Sequence, residues 1–307
     1  VNKANQENQV GRNDFNWSAH RQYLQWSRFR PMYDRRFGEL LKAGIPGEYL
    51  RSDQLKNDFL DTFHSWLTRS ELNTLTGLDA FAHRDFISGV THALDDLMIT
   101  FGDRLVCLEN EYPYFKRMRE DFPYKTIADL KSGDVLVLGM PFCWYGDVHP
   151  QTAEVLRLCF EKNIPVHVDS AWIGCTRDIH FDYDHPAIQT VSFSLSKGLG
   201  LGSHRAGVRY ARQRHPGPVT ITNDFAMEIQ SSMAVGLRFM REFGSDFLQK
   251  KYSSEYALVC KELGLRPTKS IHTAFAEKEP GLWLPAGIRP FLRFWGDQKN
   301  EFTAPAF

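Results

Sequence analysis

One lysine, four glycines and one arginine share the stretch SFSLSKGLGLGSHRAG, Ser192 to Gly207. The lysine, Lys197, closes an apolar, β-branched run, and Arg205 follows eight residues later. In a partly desolvated site a lysine loses its charge readily, and its free amine can attack a carbonyl to form an imine. An arginine near it would grip an anion with two parallel hydrogen bonds.

Three further groups stand where predicted strands end. Gly89-Val90-Thr91 lies at a strand-to-helix junction, where free N–H groups and the positive end of the helix favour an anion. Gly89 allows close backbone approach, and Thr91 adds a hydroxyl. Tyr112 follows RLVCLE and could stack on a flat ring. Asp169 ends IPVHVD and could hold a heterocyclic nitrogen protonated. An anion clamp, an imine-forming lysine, an acid partner and a stacking ring together specify pyridoxal phosphate.

These groups need a scaffold that brings strand ends together. From Asp85 onward short apolar strands alternate with helical segments, the pattern of βαβ units in a mostly parallel sheet. DVLVLGM and its neighbours are almost continuously apolar, as strands covered on both faces must be. RAGVRYA is a further strand. Ligands of such sheets bind at the carboxyl ends of the strands. Before Asp85, helices are predicted over Trp17 to Ala43 and over SDQLKNDFLDTFHSWL, the second capped by Ser52 or Asp53. HPQTAEVLRLCFEKN is a helix with Pro150 in its first turn. The regions Thr222 to Phe243 and Ser245 to Gly264 are helical, and the first fourteen residues are expected to be flexible. Asp95 and Asp96 are expected on a solvated helix face.

In order and spacing, these motifs resemble the fold type I pyridoxal-phosphate enzymes, the aspartate aminotransferase superfamily. That family has Ser-x-Ser-Lys with Arg eight residues on; here stand Ser194, Ser196, Lys197 and Arg205. Its Asp-x-Ala-Tyr is matched by DSAW, its Gly-x-x-x-Ala by GVTHA, and its Gly-Asp, strand and aromatic by GDRLVCLENEY. The match runs from Asp85 to Tyr210. It implies an α/β fold with a mostly parallel, seven-stranded-type sheet covered by helices, and a reduced small domain. The domains expected are an N-terminal segment over 1–48, a large cofactor-binding domain over 49–244, and a small domain over 245–307. The resemblance makes Lys197 the Schiff-base lysine and catalytic proton carrier, and Asp169 the partner of the ring nitrogen. Tyr112 would stack on the ring. Val90, Thr91, Ser194 and Arg205 would hold the phosphate. Trp172 stands where a tyrosine usually bonds the ring oxygen, and Cys143 or Trp144 where an asparagine does. Arg293, in FLRFWG, would bind the substrate carboxylate from a strand, with Arg289 as competitor.

The implied activity is amino-group transfer between a small amino acid and a 2-oxo acid, in a homodimer. A lyase or decarboxylase on the same cofactor, or a non-catalytic subunit of the same fold, is the alternative. Lys+Arg and Asp+Glu are 37 each, which argues against a general nucleic-acid binder. No apolar run reaches the ~20 residues that span a bilayer. Five irregularly spaced cysteines and a polar opening stretch point to a reduced, cytoplasmic setting. HFDYDH fits no standard zinc spacing, so no metal is expected.

Overall fold

A computed structural model describes residues 21–26, 32, 34–50 and 53–296, and the side chains of these up to 292. Twelve strands occur among them: β1 (Thr74–Thr76), β2 (His83–Ile87), β3 (Leu105–Leu108), β4 (Tyr124–Lys125), β5 (Val135–Gly139), β6 (Val166–Ser170), β7 (His180–Asp182), β8 (Ile188–Ser194), β9 (Gly207–Ala211), β10 (Arg266–Pro267), β11 (Thr273–Glu279) and β12 (Leu282–Gly287). Seven of them form the central sheet in the order β2-β9-β8-β6-β5-β3-β4. Strands β4, β3, β5, β6 and β8 pair in parallel, whereas β9 is antiparallel to both β8 and β2. Six carboxyl ends and the amino end of β9 therefore share one edge.

The strands alternate between two cores, as a two-residue period requires. Val135 and Val137 of β5, with Leu105 and Cys107 of β3, face the helix Val90–Phe101. Leu136, Leu138, Val106 and Leu108 face the opposite core, which holds Phe59, Phe63 and Trp66 of the helix Leu55–Thr68. Every residue of β3, β5 and β9 is buried. Among the described residues no helix is long and apolar enough to cross a membrane.

A second, antiparallel sheet, β10-β11-β12, follows the helix Phe247–Glu262. The N-terminal segment is tied to this part of the chain. Gln25 pairs with Gly287. Arg21 donates to the carbonyls of Leu263 (2.7 Å) and Glu277 (2.8 Å). The Tyr252 hydroxyl donates to Asp34 at 2.6 Å.

Several local expectations change. The region Trp17 to Ala43 is not one helix. Arg21–Tyr23 form a 3-10 turn, Gln25 is drawn into pairing, and Asp34 caps a separate helix, Arg35–Lys42. The first fourteen residues lie outside the described part, as does Ser52. Gln54, not Asp53, is the N-cap of Leu55–Thr68. Pro150 precedes the N-cap Gln151, so it lies outside the first turn of Thr152–Glu161. The stretch from Thr222 to Phe243 breaks into Pro218–Asp224 and Gln230–Glu242.

Asp96 is the largest correction. It is fully buried, not solvated. Its carboxylate accepts from Arg209 of β9 at 2.8 Å and lies 2.9 Å from His215 Nε2. Arg209 also bonds Asp85, its direct cross-strand partner, at 2.7 Å. In HFDYDH, Phe181 and Tyr183 enter the core, while Asp184 meets Arg212 at 2.7 Å. No metal-binding cluster of His, Cys, Asp or Glu occurs among the described residues.

Candidate active site

Lys197 owes its position to a cap and a pair of glycines. At the end of β8 the Ser194 hydroxyl accepts from the Ser196 N–H (3.1 Å) and donates to the Ser196 hydroxyl (2.9 Å). This opens the short helix Leu195–Gly198. The next residue after Lys197 is Gly198, which presses on Gly174; a Cβ on Gly198 would fall 2.8 Å from the Gly174 Cα. The contact holds the turn after Trp172 against the lysine helix. Lys197 Nζ sits 4.8 Å from the centre of the Trp172 ring. Burial lowers the lysine pKa, and the nearby Cys175 and Asp169 oppose the shift.

The anion cradle is built from two chain segments. Gly89 caps the helix Val90–Phe101 with φ 76°, in the left-handed region that favours glycine. A side chain there would also strike Arg205, whose Nη2 would lie 2.5 Å from the Cβ. The guanidinium is aimed by three acceptors: the Thr91 hydroxyl, the Ser88 carbonyl (3.2 Å) and the Ser196 hydroxyl (3.5 Å). Val90 is buried at the helix start. Cation, hydroxyl and helix N-terminus thus converge beside Lys197, which suits a phosphate.

The ring end lies across the sheet edge. Asp169 of β6 accepts from the Ala171 N–H at 2.9 Å. Burial raises its pKa to about 6, although the Ala171 N–H and the Lys197 charge pull the other way. Tyr112 is half-buried just beyond β3 and stacks on Tyr114, with centroids 6.1 Å apart. Burial raises the Tyr112 pKa; the charge of Asp169 adds to the rise and that of Arg205 opposes it. The residues fit pyridoxal phosphate: a phosphate cradle that a Cβ would fill, a half-buried acid and a partly desolvated amine occur at one edge.

Two residues of this site escape sequence reasoning. Glu111, buried one position before Tyr112, accepts from the Tyr112 N–H and from the Gly139 N–H. Its only signal in the sequence is a charge beside a candidate stacking tyrosine. His272, buried at the start of the second sheet, meets the Trp172 ring edge-on at 5.4 Å. Burial and the charges of Lys197 and Arg289 push its pKa down to about 3, so it is neutral.

Arg293 does not lie on a strand. FLRFWG belongs to the helix Arg289–Gly296, and the Arg293 side chain is outside the described part. An apolar face at 288, 291 and 292 gives this segment helical spacing, with all three residues buried. Arg289, at the start of this helix, is near enough to His272 to help lower its pKa.

No family model and no curated relative matches the sequence. Solved structures do. The aspartate aminotransferase of Thermus thermophilus with maleate superposes with a TM-score of 0.59 at 14% identity, over 86% of this chain and 80% of that one. The PLP-bound C-S lyase of Staphylococcus hominis gives 0.53 at 13% identity, over 81% and 82%. An alanine aminotransferase of Pyrococcus furiosus gives 0.54 at 16%, over 80% and 72%. The chain has the fold of type I pyridoxal-phosphate enzymes, shared by aminotransferases and lyases alike.

Proposed function

We propose that the protein is a pyridoxal-phosphate-dependent aminotransferase acting on a small amino acid and a 2-oxo acid. The observation that carries this reading is the position of the Lys197 amine. It lies over Trp172 and within the field of Asp169, on the same sheet edge as the Gly89–Thr91–Arg205 cradle.

In this reading Arg205, Thr91, Ser194 and the Val90 helix start would hold the phosphate. Tyr112 would stack on the ring, with Trp172 as a further ring-binding residue. Asp169 would keep the ring nitrogen protonated. When bound, the cofactor supplies an electron sink for the pair released as a bond to the substrate Cα breaks. Lys197, with its lowered proton affinity, would take the proton from the substrate Cα as general base and, as general acid, pass it to the carbon that was the cofactor's aldehyde. Arg293, or Arg289, anchors the substrate carboxylate.

A lyase reading has specific support. Cys143 and Trp172 replace groups that tune the ring oxygen in the resembling family, and one structural neighbour is a C-S lyase. A panel of amino acids assayed with pyruvate or 2-oxoglutarate separates the two. Transfer converts the acceptor into its amino acid, one for one with the donor's 2-oxo acid. Ammonia release without acceptor consumption would replace transfer by elimination. No turnover with any donor would favour a non-catalytic subunit.

The proposed assembly is a homodimer. Ile221 of the helix Pro218–Asp224 and Phe225, Met227 and Ile229 of the segment after it leave 51%, 73%, 64% and 48% of their surface exposed. Large apolar side chains gathered on an exposed surface are costly in water and typical of contact surfaces. Sedimentation is expected to give twice the 35.4 kDa chain mass. Phe225→Asp with Met227→Asp should yield monomer; a parent sedimenting as one chain would refute the dimer. The five free thiols suit a reducing, cytoplasmic setting.

A further inference from the structure

We propose that Glu111 is a positioning residue: its carboxylate brackets the ends of β3 and β5, fixing the Tyr112 ring and the Cys143 loop against the cofactor that Asp169 receives. The inference rests on the cofactor reading above and concerns a residue to which the resemblance assigns no role.

The bracket is geometrically specific. Oε1 accepts from the Tyr112 N–H at 2.8 Å, and Oε2 from the Gly139 N–H at 2.6 Å. The Cys143 N–H lies close enough to favour the charged form of the carboxylate. One buried side chain thus joins the segment carrying the stacking tyrosine to the loop that replaces the family's asparagine. Gly139 leaves room for it, because a Cβ there would lie 2.6 Å from Oε2. That glycine has an ordinary φ, so its lack of a side chain answers to the carboxylate and not to backbone strain.

A carboxylate is the only common side chain that offers two acceptor oxygens to two N–H groups and no donor. Glutamine has nearly the same shape but would turn an NH2 toward one of those N–H groups. The pair would lose one hydrogen bond and gain an opposed donor.

Protonation acts in the same direction. Burial raises the Glu111 pKa to about 7 against the pull of its N–H partners, and the Asp169 charge adds to the rise. The other titratable groups within its field are Cys107 of β3, Cys143 of the loop and Tyr124 of β4, whose own ionisations burial pushes up. They stay neutral near pH 7 and leave Asp169 as the charge that matters. A proton on Glu111 occupies an oxygen that holds a strand end. The bracket is therefore complete above about pH 7 and loosens as pH falls through it.

The test is cofactor affinity against pH, read from tryptophan quenching, in the parent and in Glu111→Gln. The parent should bind pyridoxal phosphate progressively more weakly from pH 8 to 6.5. Glu111→Gln should bind about tenfold more weakly at pH 8, as expected for one lost charge-assisted hydrogen bond. It should also lack the parent's change between pH 8 and 6.5. Gly139→Ala, which displaces the carboxylate without altering it, should bind weakly too. In both variants without cofactor, amide exchange over residues 136–146 should quicken relative to the parent. Parent-like affinity, pH profile and exchange in Glu111→Gln would overturn the proposal. If the parent shows no Lys197-dependent visible band, the cofactor reading itself fails. Unchanged exchange in Glu111→Gln would then dismiss the bracket as well, and quickened exchange would support it.

Discussion

Lys197→Ala is expected to abolish the visible absorption band that pyridoxal phosphate gives with the parent protein, and to lower turnover by about 10^4-fold. Both effects follow from the loss of one amine. In the proposed function Nζ is the group that binds the cofactor aldehyde and carries the proton at the substrate Cα. It is also the cation that restrains the rise in the Asp169 pKa, so the variant's Asp169 should take up a proton at higher pH than the parent's. The cradle at Gly89, Thr91 and Arg205 is untouched, so Lys197→Ala should still bind pyridoxal phosphate, reversibly and without the band. Lys197→Arg should not restore turnover, because a guanidinium remains protonated. Added methylamine should restore part of it. A variant with the parent's spectrum would show that another amine, or none, meets the aldehyde.

The sequence makes this lysine visible because strand ends in a parallel sheet converge. β3, β5, β6 and β8 stand out as short apolar runs, and once they are aligned, Tyr112, Asp169 and Lys197 must share an edge. What is less legible depends on partners distant along the chain. RAGVRYA has the composition of a strand but carries no mark of direction. Its antiparallel course brings Arg205 to the same edge as Lys197 and puts Arg209 opposite Asp85. Asp96 looks like one half of a solvated acidic pair until its partner, 113 residues away, is in place. Glu111 is likewise intelligible only once Gly139, 28 residues on, lies beside it. FLRFWG is short and apolar, and its length alone did not separate strand from helix.

That same buried cluster carries the largest expected effect on stability. Arg209→Met should cost about 3–5 kcal/mol, because it strands two buried carboxylates that the arginine pairs. Arg209 and Asp96 are nearly inaccessible to water, and Asp85 is only slightly less so. Some compensation remains: Arg214 lies 3.0 Å from Asp85, and the Val219 N–H donates to Asp96 at 3.0 Å. Neither replaces a guanidinium shared between both acids. Burial alone would raise the Asp96 pKa, but His215, the Val219 N–H and Arg209 outweigh it and hold the carboxyl below its ordinary value. A depressed native pKa contributes stability above the unfolded value, near 4, and loses it as pH falls through the native one. Without Arg209 the native pKa rises. The deficit of Arg209→Met should accordingly be greatest at neutral pH and shrink on acidification, as measured by urea midpoints from pH 7 to pH 4. Replacing Asp85, Asp96 and Arg209 together with apolar residues of similar volume should recover much of the loss, since no charge is then left buried and unpaired. A single variant as stable as the parent at pH 7 would mean that the two acids need no arginine. Because Asp96 lies on the helix whose first turn carries Val90 and Thr91, such a result would also mean that this helix keeps its seat on the sheet without Arg209.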